Sequence, residues 1–198
     1  VYHLNKAIIY KPDYFEAYSN LGDLQKEQGK YKDAINSLKK ALSINPNSSL
    51  ANNNLGNVFY ELGDLETAIS YFKLALSINP NFVVALNNLG NTFKKQNNLV
   101  EAIQCYDNSL SIKPEDENIR MQKIHLQSQI CDWKSIEQDK DLISKLGIND
   151  QYISPWSALS IEDNPMNHRK RSELFAKYSF KKQNIPEYKF PNAKHSKI

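Results

Sequence analysis

Cysteine is scarce in this chain: 198 residues carry two, Cys105 and Cys131. A pair this far apart makes no disulfide scaffold, and with no C-x-x-C spacing or Cys/His cluster it offers no metal site. A reduced, cytoplasmic setting is expected. Long apolar runs are missing as well, so neither a membrane span of about 18 apolar residues nor a secretory leader with its apolar core and small-residue cleavage site is expected. Charge of one sign is thin, a net +3, short of the clustered basicity of a nucleic-acid binder. The four histidines, His3, His125, His168 and His195, lack mutual spacing. Cys131 is flanked by Asp132 and not by a cation that would favour a reactive thiolate. No nucleophile, base and oxyanion donors come together, so neither catalytic nor metal-binding residues, nor a cofactor, are expected within these residues.

What the chain does have is a period. Asn20-Leu21-Gly22, Asn54-Leu55-Gly56 and Asn88-Leu89-Gly90 recur every 34 residues. With Ala34, Leu38, Ala41, then Ala68, Phe72, Ala75, then Ala102, Tyr106, Ser109 following at fixed offsets, this is the sequence form of a tetratricopeptide helix-turn-helix array. The fold class expected is all-α: a solenoid winding as a right-handed superhelix, each unit packing on its neighbours, with a helical C-terminal extension. Gly22 and Ala34 let the two helices of a unit approach closely, while Leu38, Phe72 and Tyr106 fill the space between units. Gly29 and Gly63, with Asn97 in the third unit, mark left-handed helix ends. Pro46, Pro80 and Pro114 close each unit and pre-set the first turn of the next helix.

The expected domain order is a partial repeat over 1–11 (second helix only), full repeats over 12–45, 46–79 and 80–113, and a degenerate one over 114–147. A junction over 148–182 and a linker over 183–198 follow. In the degenerate unit Lys123-Ile124 replaces Leu-Gly and Ile136 replaces the small alanine; helices are expected from Glu117 to Ile130 and Lys134 to Leu146. Beyond it, Tyr152 to Ser160 reads as a Pro-interrupted loop, and Asp163 or Asn164 with Pro165 starts a helix from Met166 to Phe180. The basic run from His168 to Arg171 reads as a solvated helix face.

Function resides in the residues left outside the buried stripe of each first helix: Ser19, Asn20 and Asp23, then Asn53, Asn54 and Asn57, then Asn87, Asn88 and Asn91. A carboxamide donates and accepts at once, and so can pair with a peptide backbone whatever its side chains. First helices about 8–10 Å apart match about three residues of extended chain at roughly 3.3 Å each. Asn20, Asn54 and Asn88 are therefore the expected contacts to an extended peptide segment, with Gln122 in their place in the fourth unit. Asparagine as a mere solubilising residue is the alternative; recurrence at one offset in three units favours binding. Lys and Arg are absent from those positions, which argues against a clamp for a terminal carboxylate.

The join at the end of the array resembles a known family. Ile130-Cys131-Asp132-Trp133 is similar to the I/V-C-D-W junction of the O-linked N-acetylglucosaminyltransferases, SPINDLY-type enzymes included. Ile153-Ser154-Pro155-Trp156-Ser157-Ala158-Leu159 with Asp163-Asn164-Pro165 resembles the segment opening their catalytic half, and His195-Ser196-Lys197-Ile198 the start of their first nucleotide-sugar lobe. The chain departs from the animal members in having no histidine between Ser154 and Ser157. In that family the repeat groove holds acceptor proteins through an asparagine ladder, onto which Asn20, Asn54 and Asn88 fall. The resemblance implies a parent enzyme whose catalytic lobes lie beyond Ile198, moving N-acetylglucosamine from UDP-GlcNAc, or fucose from GDP-fucose, to Ser or Thr hydroxyls. This chain would be its inactive, substrate-selecting arm, with association of two copies through the repeats also expected. A non-enzymatic scaffold that assembles a complex is the competing expectation.

Overall fold

The computed structural model describes residues 2–143, 145–148 and 165–179, and every described element is helical. The loop from Tyr152 to Ser160, the segment resembling a catalytic opening, Phe180, His195 and the linker over 183–198 lie outside the described residues. Helix α1 runs Tyr2–Tyr10, followed by the pairs α2 (Phe15–Glu27) with α3 (Tyr31–Ile44), α4 (Ser49–Glu61) with α5 (Leu65–Ile78), and α6 (Val83–Lys95) with α7 (Leu99–Ile112). Then come α8 (Glu117–Gln129), α9 (Trp133–Gln138), α10 (Lys140–Ile143) and α11 (Pro165–Ser179). Each pair packs as an antiparallel hairpin, each second helix packs on the next first helix, and α2, α4 and α6 lie side by side. That is the packing of a tetratricopeptide solenoid.

The joint inside each pair is the same structure made four times. The residue ending the first helix is left-handed: Gly29 (φ 72°), Gly63 (φ 81°), Asn97 (φ 63°) and Cys131 (φ 58°). The next amide reaches back to close the turn, Lys30 to Gln25, Asp64 to Phe59, Asn98 to Phe93 and Asp132 to Gln127, each at 2.9 Å. These pairs satisfy the last free carbonyls of the helix. Asp64 and Asp132 then cap the following helix, accepting from Thr67 and Ser135 at 3.2 and 3.3 Å. Cys131 is thus a side chain where the backbone favours glycine. A left-handed residue with a Cβ costs roughly 1–2 kcal/mol, offset in part by the larger unfolded-state entropy of glycine. We predict that Cys131→Gly raises the free energy of unfolding by about 0.5–1 kcal/mol in urea titration; a loss of stability would show that the thiol contributes something the backbone does not.

Between units the prolines sit in a tight turn and not, as expected from sequence, in the first turn of the next helix. Ser48 donates to Asn45 at 3.3 Å and Phe82 to Asn79 at 3.1 Å, which places Pro46 and Pro80 at the second position of each turn. Asn45 (φ −127°, ψ 92°) and Asn79 (φ −132°, ψ 92°) are extended, as a residue before proline must be. Their side chains accept from Asn47 and Asn81, both at 3.2 Å, and stiffen the turn further.

The core is a file of small clusters rather than one centre. Leu38, Phe72 and Tyr106 are fully buried. Each lies against the glycine of its own unit: a Cβ on Gly22, Gly56 or Gly90 would come within 2.5, 2.5 and 2.6 Å of the facing side chain. The same side chains also reach the next unit, Leu38 clustering with Leu55 and Val58, and Phe72 with Leu89. The division of labour expected from sequence is therefore corrected: the large residue fills both the space above its own glycine and the seam to the next pair. In the fourth unit Ile124 and Ile136 join Met121, Ile143 and Leu146. The single helix expected from Lys134 to Leu146 is divided at Asp139, whose carboxylate lies 4.0 Å from Arg120 and 3.5 Å from Lys123 on α8.

Helix α11 corrects the reading of the basic run. Arg169 and Lys170 are exposed, but Arg171 is fully buried. Its guanidinium donates to the carbonyls of Leu146 at 2.8 Å and Ile143 at 2.9 Å, at the end of α10. Carbonyls near a helix end keep lone pairs to spare; that of Ile143 also accepts from the Leu146 amide at 3.2 Å, and one planar guanidinium links α11 to both carbonyls at once.

Candidate functional site

Because α2, α4 and α6 are neighbours, the residues just before each Leu-Gly pair meet across the helix seams. Not all of them stay outside the buried stripe, as sequence led us to expect. Asn20 is exposed and Asn88 half-buried, but Ser19, Asn53 and Asn54 are 1, 2 and 7% exposed. Helix α4 is flanked by α2 on one side and α6 on the other, so its polar face is covered twice where a single-helix reading sees it open. The buried amides find one another: Asn88 donates to Asn53 Oδ1 at 3.0 Å, and Asn53 donates to Asn54 Oδ1 at 3.4 Å. Asn52 donates to the Ser48 carbonyl at 3.0 Å.

One turn further along lies a small cavity of about 160 Å³, lined by Lys26, Asn57, Tyr60, Glu61, Phe72, Asn88 and Asn91. It spans α2, α4 and α6, with Phe72 as its floor. The structure brings Asn57, Asn88 and Asn91 together here. Asn87 is half-buried, and its Oδ1 is closed off without a hydrogen-bond partner. Asn20 stands apart on α2. Gln122 lies beyond α6, where it meets the hydroxyl of Tyr106 at 3.2 Å. That hydroxyl donates to Asn91 Oδ1 at 2.7 Å, so the fully buried Tyr106 holds Asn91 by its oxygen, with Gln122 the more distant acceptor of the same proton. Burial raises its phenol pKa above the usual tyrosine value.

Sequence reasoning missed the lysines. The position four residues after each glycine holds Lys26, Tyr60 and Lys94, and the next in the third unit is Lys95. Lys26 pairs with Asp23 at 2.7 Å, and Lys95 rides over the Tyr60 ring at 4.3 Å. Lys94 donates to Gln122 Oε1 at 2.7 Å. The signal was available in the 34-residue period, one helical turn past the positions considered.

Cys105 is buried on the second-helix side, and that burial pushes its thiol up to about 11. Cys131 is exposed at its joint. Among the described residues no three His, Cys, Asp or Glu side chains form a group that could hold a metal ion, and no helix is long and apolar enough to cross a membrane.

The chain matches known repeats over most of its array. A TPR repeat profile covers residues 22–63, one tetratricopeptide repeat profile covers 49–82 and 83–116, and another covers 3–36. These start at different phases of one period, as cuts through a continuous array do. Among solved structures, one titled crystal structure of MamA shares 20% identity, with 89% of this chain and 87% of that one covered, at a TM-score of 0.58. The first tetratricopeptide domain of Spaghetti (RPAP3), bound to the HSP90 peptide SRMEEVD, shares 20% identity over 59% of this chain and 93% of that one, at a TM-score of 0.56. At such identities the likeness is one of fold. No curated protein sequence matches the chain.

Proposed function

Residues 3–116 belong to the tetratricopeptide-repeat family, and from that premise we propose that the chain binds protein, holding an extended segment of its partner along α2, α4, α6 and α8. The observation that carries this reading is the convergence of amides from successive units on one seam, where Asn88 lines a cavity with Asn57 and Asn91. An amide whose oxygen is already used still offers its N–H, and one whose N–H is used still offers its oxygen, so such a seam meets both halves of a peptide bond. Asn20, Asn88, Asn91 and Gln122 are the contacts to the segment's main chain; Asn53 and Asn54 orient Asn88 from within. The Spaghetti (RPAP3) domain, bound to the HSP90 peptide SRMEEVD, is a protein of this fold that holds a peptide.

The finer reading is that this groove serves a glycosyltransferase. Its support is the resemblance of Ile130-Cys131-Asp132-Trp133 to the junction of the O-linked N-acetylglucosaminyltransferases. On it, the chain recruits acceptors for downstream lobes that use UDP-GlcNAc or GDP-fucose. In the structure Cys131 and Asp132 form a helix joint and a cap, roles that a repeat array needs with or without an enzyme behind it.

Two measurements test these statements separately. Asn20→Ala, Asn54→Ala and Asn88→Ala combined should weaken binding of many different acceptor segments by about tenfold or more, at about 0.5–1.5 kcal/mol per net hydrogen bond, with helix content unchanged in circular dichroism. Unaltered affinity would remove the main-chain reading. The full-length protein from the same gene, given labelled UDP-GlcNAc or GDP-fucose and a lysate, should label proteins in a manner lost on deletion of residues 12–113. A folded protein that transfers neither sugar would leave a binding scaffold as the function.

A further inference from the structure

A groove lysine that has an amide oxygen for its partner points to what the groove selects. Lys26 has Asp23 at 2.7 Å, and Lys123 has Asp107 at 2.9 Å and Asp139 at 3.5 Å. Lys94, whose partner is Gln122 Oε1, has no carboxylate within 4.0 Å among the described residues. Removal from water disfavours its charged form and lowers its pKa, a cost that a carboxylate would offset and an amide oxygen offsets only in part. Around it the amides are turned to donate. The oxygen of Asn91 takes the Tyr106 hydroxyl at 2.7 Å, and the oxygen of Gln122 takes Lys94 at 2.7 Å with the same hydroxyl at 3.2 Å, so the Nδ2 of Asn91 and the Nε2 of Gln122 are the ends left to donate. Tyr106 replaces the Leu38 and Phe72 of the earlier units, and its hydroxyl supplies Asn91 with a donor that those side chains lack.

We propose that Lys94, Asn91 and Gln122 form a subsite for the side-chain carboxylate of an aspartate or glutamate in the bound segment, so that the groove prefers acidic segments in one register. The inference rests on the reading of the groove as a seat for extended segments. An acidic residue there exchanges the amide oxygen on Lys94 for a full charge and receives two N–H donors, while the amides toward Asn88 hold the main chain and set which residue of the segment arrives at Lys94.

The test is selection of a random twelve-residue peptide library displayed on phage, with the full chain immobilised, in parallel for the wild type, Lys94→Gln, Lys94→Glu and, as a control for general attraction, the exposed Lys40→Gln. Expected are wild-type and Lys40→Gln selections rich in Asp or Glu at one position. A selected acidic peptide should lose about tenfold or more in affinity to Lys94→Gln, as a charge-assisted hydrogen bond implies, and Lys94→Glu should shift the preferred residue to Lys or Arg. Helix content is checked for each variant. Peptides that bind without acidic preference, or acidic peptides indifferent to Lys94, overturn the subsite and leave main-chain binding standing. Recovery of no peptide by the wild type overturns both.

Discussion

Replacing Phe72 by alanine should lower the unfolding free energy by about 3–5 kcal/mol, the range for emptying a buried aromatic site. Phe72 is fully buried. Its ring covers Gly56 within its own unit and meets Leu89 of the next, and the groove cavity opens directly above it. Neither wall can collapse freely, since each is a helix held from its other side. In a globular domain the loss would be spread over a common core; here it falls on one seam. The array should therefore come apart there first, and urea titration followed by circular dichroism should show the transition broadening or splitting as the two halves unfold separately. One sharp transition with a loss under about 1 kcal/mol would mean that the seam contributes less than burial of this kind implies.

Gly56→Ala should also destabilise, by about 2 kcal/mol, although helix propensity argues the other way. Glycine in a helix interior costs about 1 kcal/mol relative to alanine, so propensity alone predicts a gain. A Cβ at this position would lie 2.5, 2.7 and 2.9 Å from three atoms of the Phe72 ring. The ring is rigid and fully enclosed, and overpacking of that kind costs about 1–3 kcal/mol, here at the upper end because no flexible chain end can yield. The two variants should couple. Alanine at position 72 removes the atoms that the new methyl strikes, so the double variant should be more stable than the sum of the two losses predicts, by about 1 kcal/mol or more. Strict additivity would mean that the helices part at Gly56 without the ring being the obstacle.

These arguments mark what was legible in the sequence. A strict period makes every unit a check on the others, so the helix pairs, the left-handed joints at Gly29, Gly63 and Asn97, and the close approach at the three glycines could be read directly. What could not be read depends on contact with something off the helix in question. Asn53 and Asn54 are polar, and they are buried because α4 has a neighbour on each side. Arg171 belongs to a basic run, and it is buried with its guanidinium on the carbonyls of Ile143 and Leu146, contacts off its own helix. Cys131 falls at the turn of the degenerate unit in the same period, but a cysteine does not announce the left-handed backbone that it shares with Gly29, Gly63 and Asn97. Of the candidate site, the amide positions were legible. Which face outward, and that a lysine stands among them, is set by Tyr106 and by the turn following each glycine.

The order of packing bears on how such a chain is made. Among the described residues helix pairs meet chiefly pairs adjacent in sequence, so few contacts wait for a distant segment, and loop-closure entropy remains small at each step. During synthesis, a pair that has cleared the ribosome already holds the surface on which the following pair will settle. Elongation and folding can then proceed in step, 34 residues at a time, with only the newest unit exposing its seam to chaperones.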